Sequence, residues 1–188
     1  MRHGMALNLE SKMKYLTAPY LTLMHAFKNH ADNRLDHPNT THYHPTALMQ
    51  EYCTLRLDGG RQTGKTEAVA QFADEWLEDG GTIIVLGKTY AIANDTKDRI
   101  IREHTRKYNP AKSAQELKRE IITSPIRQFL SDSEIKFRGQ TLQRILFIID
   151  EPMHVPEMHK FYSAYHETIR YCNRPGTKLP LFFVIGIQ

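Results

Sequence analysis

A glycine-rich segment followed by a lysine and a threonine is the part of this sequence best suited to chemistry. The segment is Gly59-Gly60-Arg61-Gln62-Thr63-Gly64-Lys65-Thr66, which has the spacing G-x-x-x-x-G-K-[ST]. Glycines let backbone N–H groups converge on phosphate oxygens, and a helix that starts there adds the positive end of its dipole. In such a loop we expect Lys65 to reach the β- and γ-phosphates of a nucleotide and the Thr66 hydroxyl to ligate Mg²⁺. The alternative is a glycine-rich turn that matches the spacing by chance.

A pair of adjacent acids, Asp150-Glu151, follows the most apolar run of the chain, residues 145–149. In a nucleotide hydrolase, Asp150 would hold Mg²⁺ through water and Glu151 would polarise the attacking water as a general base. The alternative is an acidic pair that begins a solvated turn before Pro152. The adjacent glutamate favours hydrolysis over the activity of a kinase or a switch GTPase.

The elements around these motifs alternate between strand and helix. Apolar runs predict strands over residues 53–57, 82–86, 145–149 and 181–185, and alternation predicts a half-buried strand over 134–138. Apolar stripes or caps predict helices from Lys65 to Gly80, around residues 92–108, from Ser113 to the residue before Pro125, and over 161–172. This alternation predicts an α/β fold with a mainly parallel sheet and helices on both faces.

The composition is that of an ordinary globular protein. Of the 188 residues, 40% are hydrophobic and 24% are charged, which excludes collagen-like and wholly disordered chains. No apolar run approaches the roughly 18–20 residues of a membrane span, and no signal-peptide core follows the first methionine. Two cysteines, Cys53 and Cys172, favour a reduced cytosolic setting. The net charge of +4 permits a nucleic-acid partner without requiring one.

Two further segments bear on organisation and partners. Residues 1–36 are predicted to be helical with an interruption at Pro19, and residues 36–45 to form a polar loop. Basic side chains cluster on the helix after the second strand and could contact DNA phosphates; they are Lys97, Arg99, Arg102, Arg106 and Lys107. The alternative is a solvated helix face on which they pair with neighbouring acids.

Taken together, the motifs resemble the ATPase domain of the large terminase subunit of tailed bacteriophages, the DNA-packaging motor. The resemblance covers residues 48–188 and is carried by four segments: Arg61-Gln62-Thr63-Gly64-Lys65-Thr66, Ile148-Ile149-Asp150-Glu151, Ile135-Lys136-Phe137-Arg138-Gly139, and the closing strand near 182–186. It implies a RecA-like P-loop NTPase core over 48–188, preceded by an N-terminal helical segment and loop over 1–47. In this additional-strand class, the closing strand lies between the loop strand and the Asp-Glu strand.

The resemblance also implies roles for individual residues. Glu151, Arg61 and Lys65 would be catalytic, with Arg61 reaching the γ-phosphate; the alternative for Arg61 is a non-catalytic contact with phosphate. Gln50 would recognise adenine through its amide, or else be a solvated helix residue. Thr66 and Asp150 would hold the metal, so the expected cofactors are ATP and Mg²⁺.

The expected function is ATP hydrolysis that drives double-stranded DNA into a viral capsid in the host cytoplasm. The expected assembly is a homo-oligomeric ring on a portal, with a small terminase subunit and no membrane. Because the nuclease domain is absent, we expect a partial motor whose nuclease and transmission parts lie on another chain. The alternatives are a helicase-type or other DNA-dependent ATPase, and a nucleotide-binding regulator or assembly factor, against which Glu151 argues.

Overall fold

The strands form one parallel sheet in the computed structural model, which describes residues 16–60, 62–107, 116–117, 120–150 and 158–186. The strands are β1 (Thr54–Leu57), β2 (Thr82–Gly87), β3 (Ile121–Pro125), β4 (Ile145–Asp150) and β5 (Leu181–Ile185). Their order across the sheet is β1-β5-β4-β2-β3, and every neighbouring pair is parallel. The predicted α/β architecture is therefore confirmed, as is the position of β5 between β1 and β4.

Helices cover both faces of this sheet. They are α1 (Thr17–Leu35), α2 (Pro45–Tyr52), α3 (Lys65–Glu78), α4 (Tyr90–Lys107), α5 (Ile126–Phe137) and α6 (His159–Glu167), with short 3₁₀ helices at Pro38–Thr40 and Ile169–Cys172. Because both faces are covered, every residue of β2, β4 and β5 is buried. This burial explains why these strands are continuous apolar runs in the sequence.

Aromatic side chains show which helices lie on which face. On one face, the ring of Phe183 in β5 contacts Phe72 of α3 and Phe27 of α1, with centroid distances of 5.0 and 6.1 Å. On the opposite face, Phe147 of β4 lies 5.7 Å from Phe129 of α5 and 6.3 Å from Tyr165 of α6. The two halves of the core are thus separated by the sheet, with α1 and α3 on one side and α5 and α6 on the other.

The strand predicted over residues 134–138 is wrong, because these residues belong to the end of α5 and the turn that follows it. Phe129 and Phe137 lie on either side of a kink at Asp132, and both side chains are buried with their ring centroids 6.2 Å apart. The alternation of Ile135 and Phe137 covers too few residues to separate the two periodicities. Residues 135–139, one of the four segments that carried the terminase resemblance, therefore do not contain the predicted strand.

The helix predicted to run from Ser113 to Pro125 is also wrong at its end. Glu116, Leu117 and Glu120 are helical, but Ile121–Pro125 is strand β3, which pairs with β2 from Ile83 to Gly87. The β-branched residues at its start favour a strand, and β3 lies at the sheet edge, where a proline is tolerated. Ser113 lies outside the described residues.

Helix α1 belongs to the same hydrophobic core as the sheet. Its residues Met24 and Ala31 are fully buried in the core. Pro19 occupies the first turn of α1, where proline is compatible with a helix, so it does not interrupt one. No helix of the described part of the chain is both long and apolar enough to cross a membrane.

Polar contacts tie α1 and α4 to their neighbours. Asp32 of α1 lies 2.6 Å from Nη2 of Arg144, just before β4, and 3.1 Å from Nζ of Lys28. Burial by itself would raise the pKa of Asp32, but the hydrogen bonds and charges of Arg144 and Lys28 outweigh it and hold this pKa below its ordinary value. Between α3 and α4, the buried Asp74 carboxylate lies 2.6 Å from Nδ1 of His104.

Candidate functional site

The glycine-rich loop and Asp150 lie at the same end of the sheet, where the carboxyl ends of its strands meet. All five strands are parallel, so their carboxyl ends form one edge. The loop follows β1, and Asp150 is the last residue of β4. Leu57 pairs with Ile185 of β5, which in turn pairs with Asp150, so the three residues share one rung of the sheet. Two strand spacings place the start of the loop roughly 10 Å from Asp150. Crevices at this edge are where ligands bind in open α/β sheets.

The backbone of the loop requires its glycines. Gly59, Gly60 and Gly64 have φ values of 141°, 71° and 100°, in the region that favours glycine. Gln62, at φ 58°, is the one non-glycine residue with positive φ in the described part of the chain. Left-handed residues close together in a turn point successive N–H groups inward and form a concavity for an anion. The sequence pattern thus corresponds to a real backbone constraint.

Lys65 lies across this loop. It is the first residue of α3, and its ammonium donates a hydrogen bond to the carbonyl of Gly60 and lies 3.4 Å from Oγ1 of Thr63. The N-cap of α3 is Gly64, and the described structure shows no side-chain hydrogen bond that caps this helix. Thr66 follows in the first turn and is partly buried. The loop therefore combines a cation, a helix N-terminus and a hydroxyl, which together suit a phosphate group.

The carboxylate of Asp150 is held by a threonine that the sequence analysis did not identify. Asp150 is 7% exposed, and its Oδ2 accepts a hydrogen bond from Oγ1 of Thr96, which is 1% exposed. Thr96 lies on α4 between Ala93 and Ile100, both fully buried. A threonine at an inward position of a helix was the available signal, but its partner is 54 residues away along the chain.

We expect Thr96→Val to destabilise the fold, because it leaves the buried Asp150 carboxylate with one donor fewer. The loss of one partner from a buried charged group costs about 1–3 kcal/mol. Urea unfolding at neutral pH measures this cost, and Thr96→Ser, which keeps the hydroxyl, should stay close to the parent. Equal losses for the valine and serine variants would mean that the methyl group matters and the hydrogen bond does not.

Gln50, predicted to recognise adenine, lines a separate cleft of about 630 Å³. The cleft lies between β1, α2 and the start of α6, and its lining residues are Gln50, Thr54, Arg56, Met158, His159 and Tyr162. Two of these lining residues, Thr54 and Tyr162, are joined by a hydrogen bond of 2.6 Å between their hydroxyl oxygens. Arg56 lies two residues before the loop begins at Asp58, so the cleft adjoins the strand that leads into the loop.

Two of the predicted catalytic residues, Arg61 and Glu151, lie outside the described residues.

The basic side chains of α4 contact groups of the same chain. The Lys97 ammonium donates to the carbonyl of Ile121, while Arg99 and Arg106 pair with Asp95 and Glu103. Arg102 donates to the carbonyl of Asp98 on the same helix, and the side chain of Lys107 lies outside the described residues. Pairs with acids of the same helix are what the alternative of a solvated helix face predicts, and DNA binding by this helix stays a prediction.

Comparison with known proteins places the chain in a family that has a phage member. The whole chain aligns, at 43% identity, with 89% of the protein described as "Uncharacterized 25.0 kDa protein in regB-denV intergenic region" of Enterobacteria phage T4. This chain belongs to the family of that T4 protein. No family model matches the chain. The relationship to the T4 protein establishes kinship without an activity, so the function must be inferred from the site.

A second residue missed by the sequence analysis also lies at this site. The hydroxyl of Tyr20, on α1, donates a 3.1 Å hydrogen bond to the carbonyl of Asp58 at the start of the loop. The contact joins residues 38 apart in the chain, and no local pattern around Tyr20 predicts it. Helix α1 therefore reaches the loop directly.

Proposed function

We propose that this chain is an ATP hydrolase with a RecA-like P-loop core, in which the loop of residues 59–66 binds the nucleotide phosphates. The observation that carries the proposal is the geometry of the loop. It follows β1, whose last residue, Leu57, shares a rung with Asp150 through β5. It has positive φ angles at four described positions and opens a helix with Lys65 lying across it. The β1-β5-β4 order supports the additional-strand class.

The side chains present fit a magnesium nucleotide. Mg²⁺ prefers oxygen ligands, and the Thr66 hydroxyl and Asp150 carboxylate are of that kind. When bound, Mg²⁺ neutralises charge on the phosphates. Thr96 keeps the Asp150 carboxylate oriented through its hydrogen bond.

Four further residues have proposed roles in nucleotide binding and catalysis. Lys65 binds the β- and γ-phosphates, and Arg61 meets charge that develops on the γ-phosphate. Glu151 accepts a proton from the water that attacks that phosphate. Gln50 presents its amide to the adenine edge in the cleft beside β1.

We further propose that hydrolysis moves double-stranded DNA, as in the terminase ATPase that the motifs resemble. Kinship with a phage T4 protein supports a viral role. The proposed DNA contact is formed by an oligomer of this chain, so the purified chain carries it.

The purified chain should hydrolyse ATP slowly in the presence of Mg²⁺, and linear double-stranded DNA should increase the rate several-fold. Phosphate release with double-stranded DNA, with single-stranded DNA and without DNA measures this effect, and EDTA provides the metal-free control. Stimulation by single strands alone would favour a helicase-type ATPase. Tight ATP binding without hydrolysis would favour a regulator and contradict the proposed function.

A further inference from the structure

The Tyr20 hydroxyl connects the two ends of the glycine-rich loop. It donates to the carbonyl of Asp58, where β1 gives way to the loop, and lies 3.4 Å from Oγ1 of Thr63, just before α3. Thr63 in turn lies 3.4 Å from the Lys65 ammonium. A single hydroxyl of α1 thus contacts both sides of the backbone that would surround a phosphate.

The loop also packs directly on this hydroxyl. A Cβ atom added to Gly59 would lie 2.1 Å from Oη of Tyr20, far inside van der Waals contact, and 3.4 Å from Cζ. The φ of Gly59 is 141°, so a side chain there would be strained as well. The close approach and the two polar contacts are separate observations that point to the same contact between Tyr20 and the loop.

The helix that carries Tyr20 is anchored along its length. His25 lies 3.3 Å from Glu75 of α3 and packs against the ring of Phe72, while Asp32 pairs with Arg144 before β4. The Tyr20 ring is itself buried, at 9% exposure. The hydroxyl is therefore held in a fixed position relative to α3, whose N-terminus completes the loop.

We propose that Tyr20 is a positioning residue that holds the glycine-rich loop in its phosphate-binding shape, and so makes nucleotide affinity depend on the docking of α1. The proposal rests on the proposed function of the loop. A loop that is held in its binding shape before the ligand arrives loses less conformational freedom on binding, which favours affinity. By linkage, bound nucleotide stabilises the docked position of α1 to the same extent.

The test removes the hydroxyl and keeps the ring. Tyr20→Phe should weaken MgATP binding about three- to tenfold, the effect of losing one neutral hydrogen bond. In the nucleotide-free protein, the amides of residues 59–64 should exchange with deuterium faster, whereas those of β4 should not change. The matched control is Tyr43→Phe, since Tyr43 is 57% exposed and lies between the 3₁₀ helix at Pro38–Thr40 and α2. Its affinity and exchange should equal those of the parent.

A second variant tests the packing independently. Gly59→Ala should weaken MgATP binding in the parent through the clash with Oη and through backbone strain. In the Tyr20→Phe background the clash with Oη is removed, whereas the 3.4 Å approach to Cζ and the backbone strain remain. The same alanine should therefore cost several-fold less in this background. An equal cost in both backgrounds would show that the loop does not rest on the hydroxyl and would overturn the proposal.

The measurements separate failure of this proposal from failure of the proposed function. If the parent binds ATP and Tyr20→Phe changes neither affinity nor loop exchange, Tyr20 does not position the loop, and the ATPase assignment stands. If the parent fails to bind ATP, the proposed function fails; the exchange measurement then shows by itself whether the hydroxyl holds the loop.

Discussion

Glu151→Gln should retain ATP binding and lose ATP hydrolysis. Glutamine has the shape of glutamate but cannot accept the proton of the attacking water, and loss of a general base costs about 10²- to 10⁴-fold in rate. Glu151 follows Asp150, whose buried carboxylate ends β4 at the edge of the sheet where the loop lies. Single-turnover hydrolysis with saturating MgATP measures the chemical step, and equilibrium binding measures affinity.

The control for this variant is Glu167→Gln, at the exposed C-terminal end of α6. It makes the same chemical change at an exposed position outside both motifs, and it should hydrolyse ATP at the parental rate. Equal single-turnover rates for Glu151→Gln and the parent would contradict the assignment of Glu151 as the base. The binding function of the loop would be untouched by that result.

Lys65→Ala should weaken MgATP binding by roughly tenfold to a hundredfold. The ammonium lies across the loop and already bonds the Gly60 carbonyl, so it stands where a phosphate would approach. A hydrogen bond to a charged group contributes about 1.5–3 kcal/mol, and each 1.4 kcal/mol is a factor of ten in affinity. Titration with a fluorescent ATP analogue measures the change.

Lys178→Ala is the matched control. Its ammonium also binds an oxygen, Oδ2 of Asp36 at 2.6 Å, but Lys178 precedes β5 and therefore lies toward the amino end of the sheet. This variant should bind MgATP like the parent. Should both alanine variants bind MgATP equally well, Lys65 does not bind the nucleotide phosphates.

The contacts of Thr96 with Asp150 and of Tyr20 with the loop predict a second class of variant effects. A variant of Lys65 acts on the ligand, whereas variants of Thr96 and Tyr20 act on the groups that hold Asp150 and the loop in place. Variants of the first kind should leave unfolding in urea nearly unchanged. Variants of the second kind should alter stability or local exchange even when no nucleotide is present.

Features of this protein that depend on local chemistry could be predicted from its sequence. Strands buried on both faces are near-continuous apolar runs, so β2, β4 and β5 could be recognised from the sequence. The glycine-rich pattern corresponds to the backbone of the loop, since Gly59, Gly60 and Gly64 have positive φ angles that other residues rarely adopt. The apolar stripe of α3 predicted a helix that begins at Lys65.

Other features depend on contacts between distant parts of the chain, so no local pattern predicts them. Residues 121–125 become a strand by pairing with β2, and residues 134–137 remain helical because Phe137 packs beside Phe129. Thr96 meets Asp150 across 54 residues, and Tyr20 meets the loop across 38 and 43. A local pattern records whether a side chain is buried, whereas the identity of its partner depends on how the whole sheet and its helices pack together.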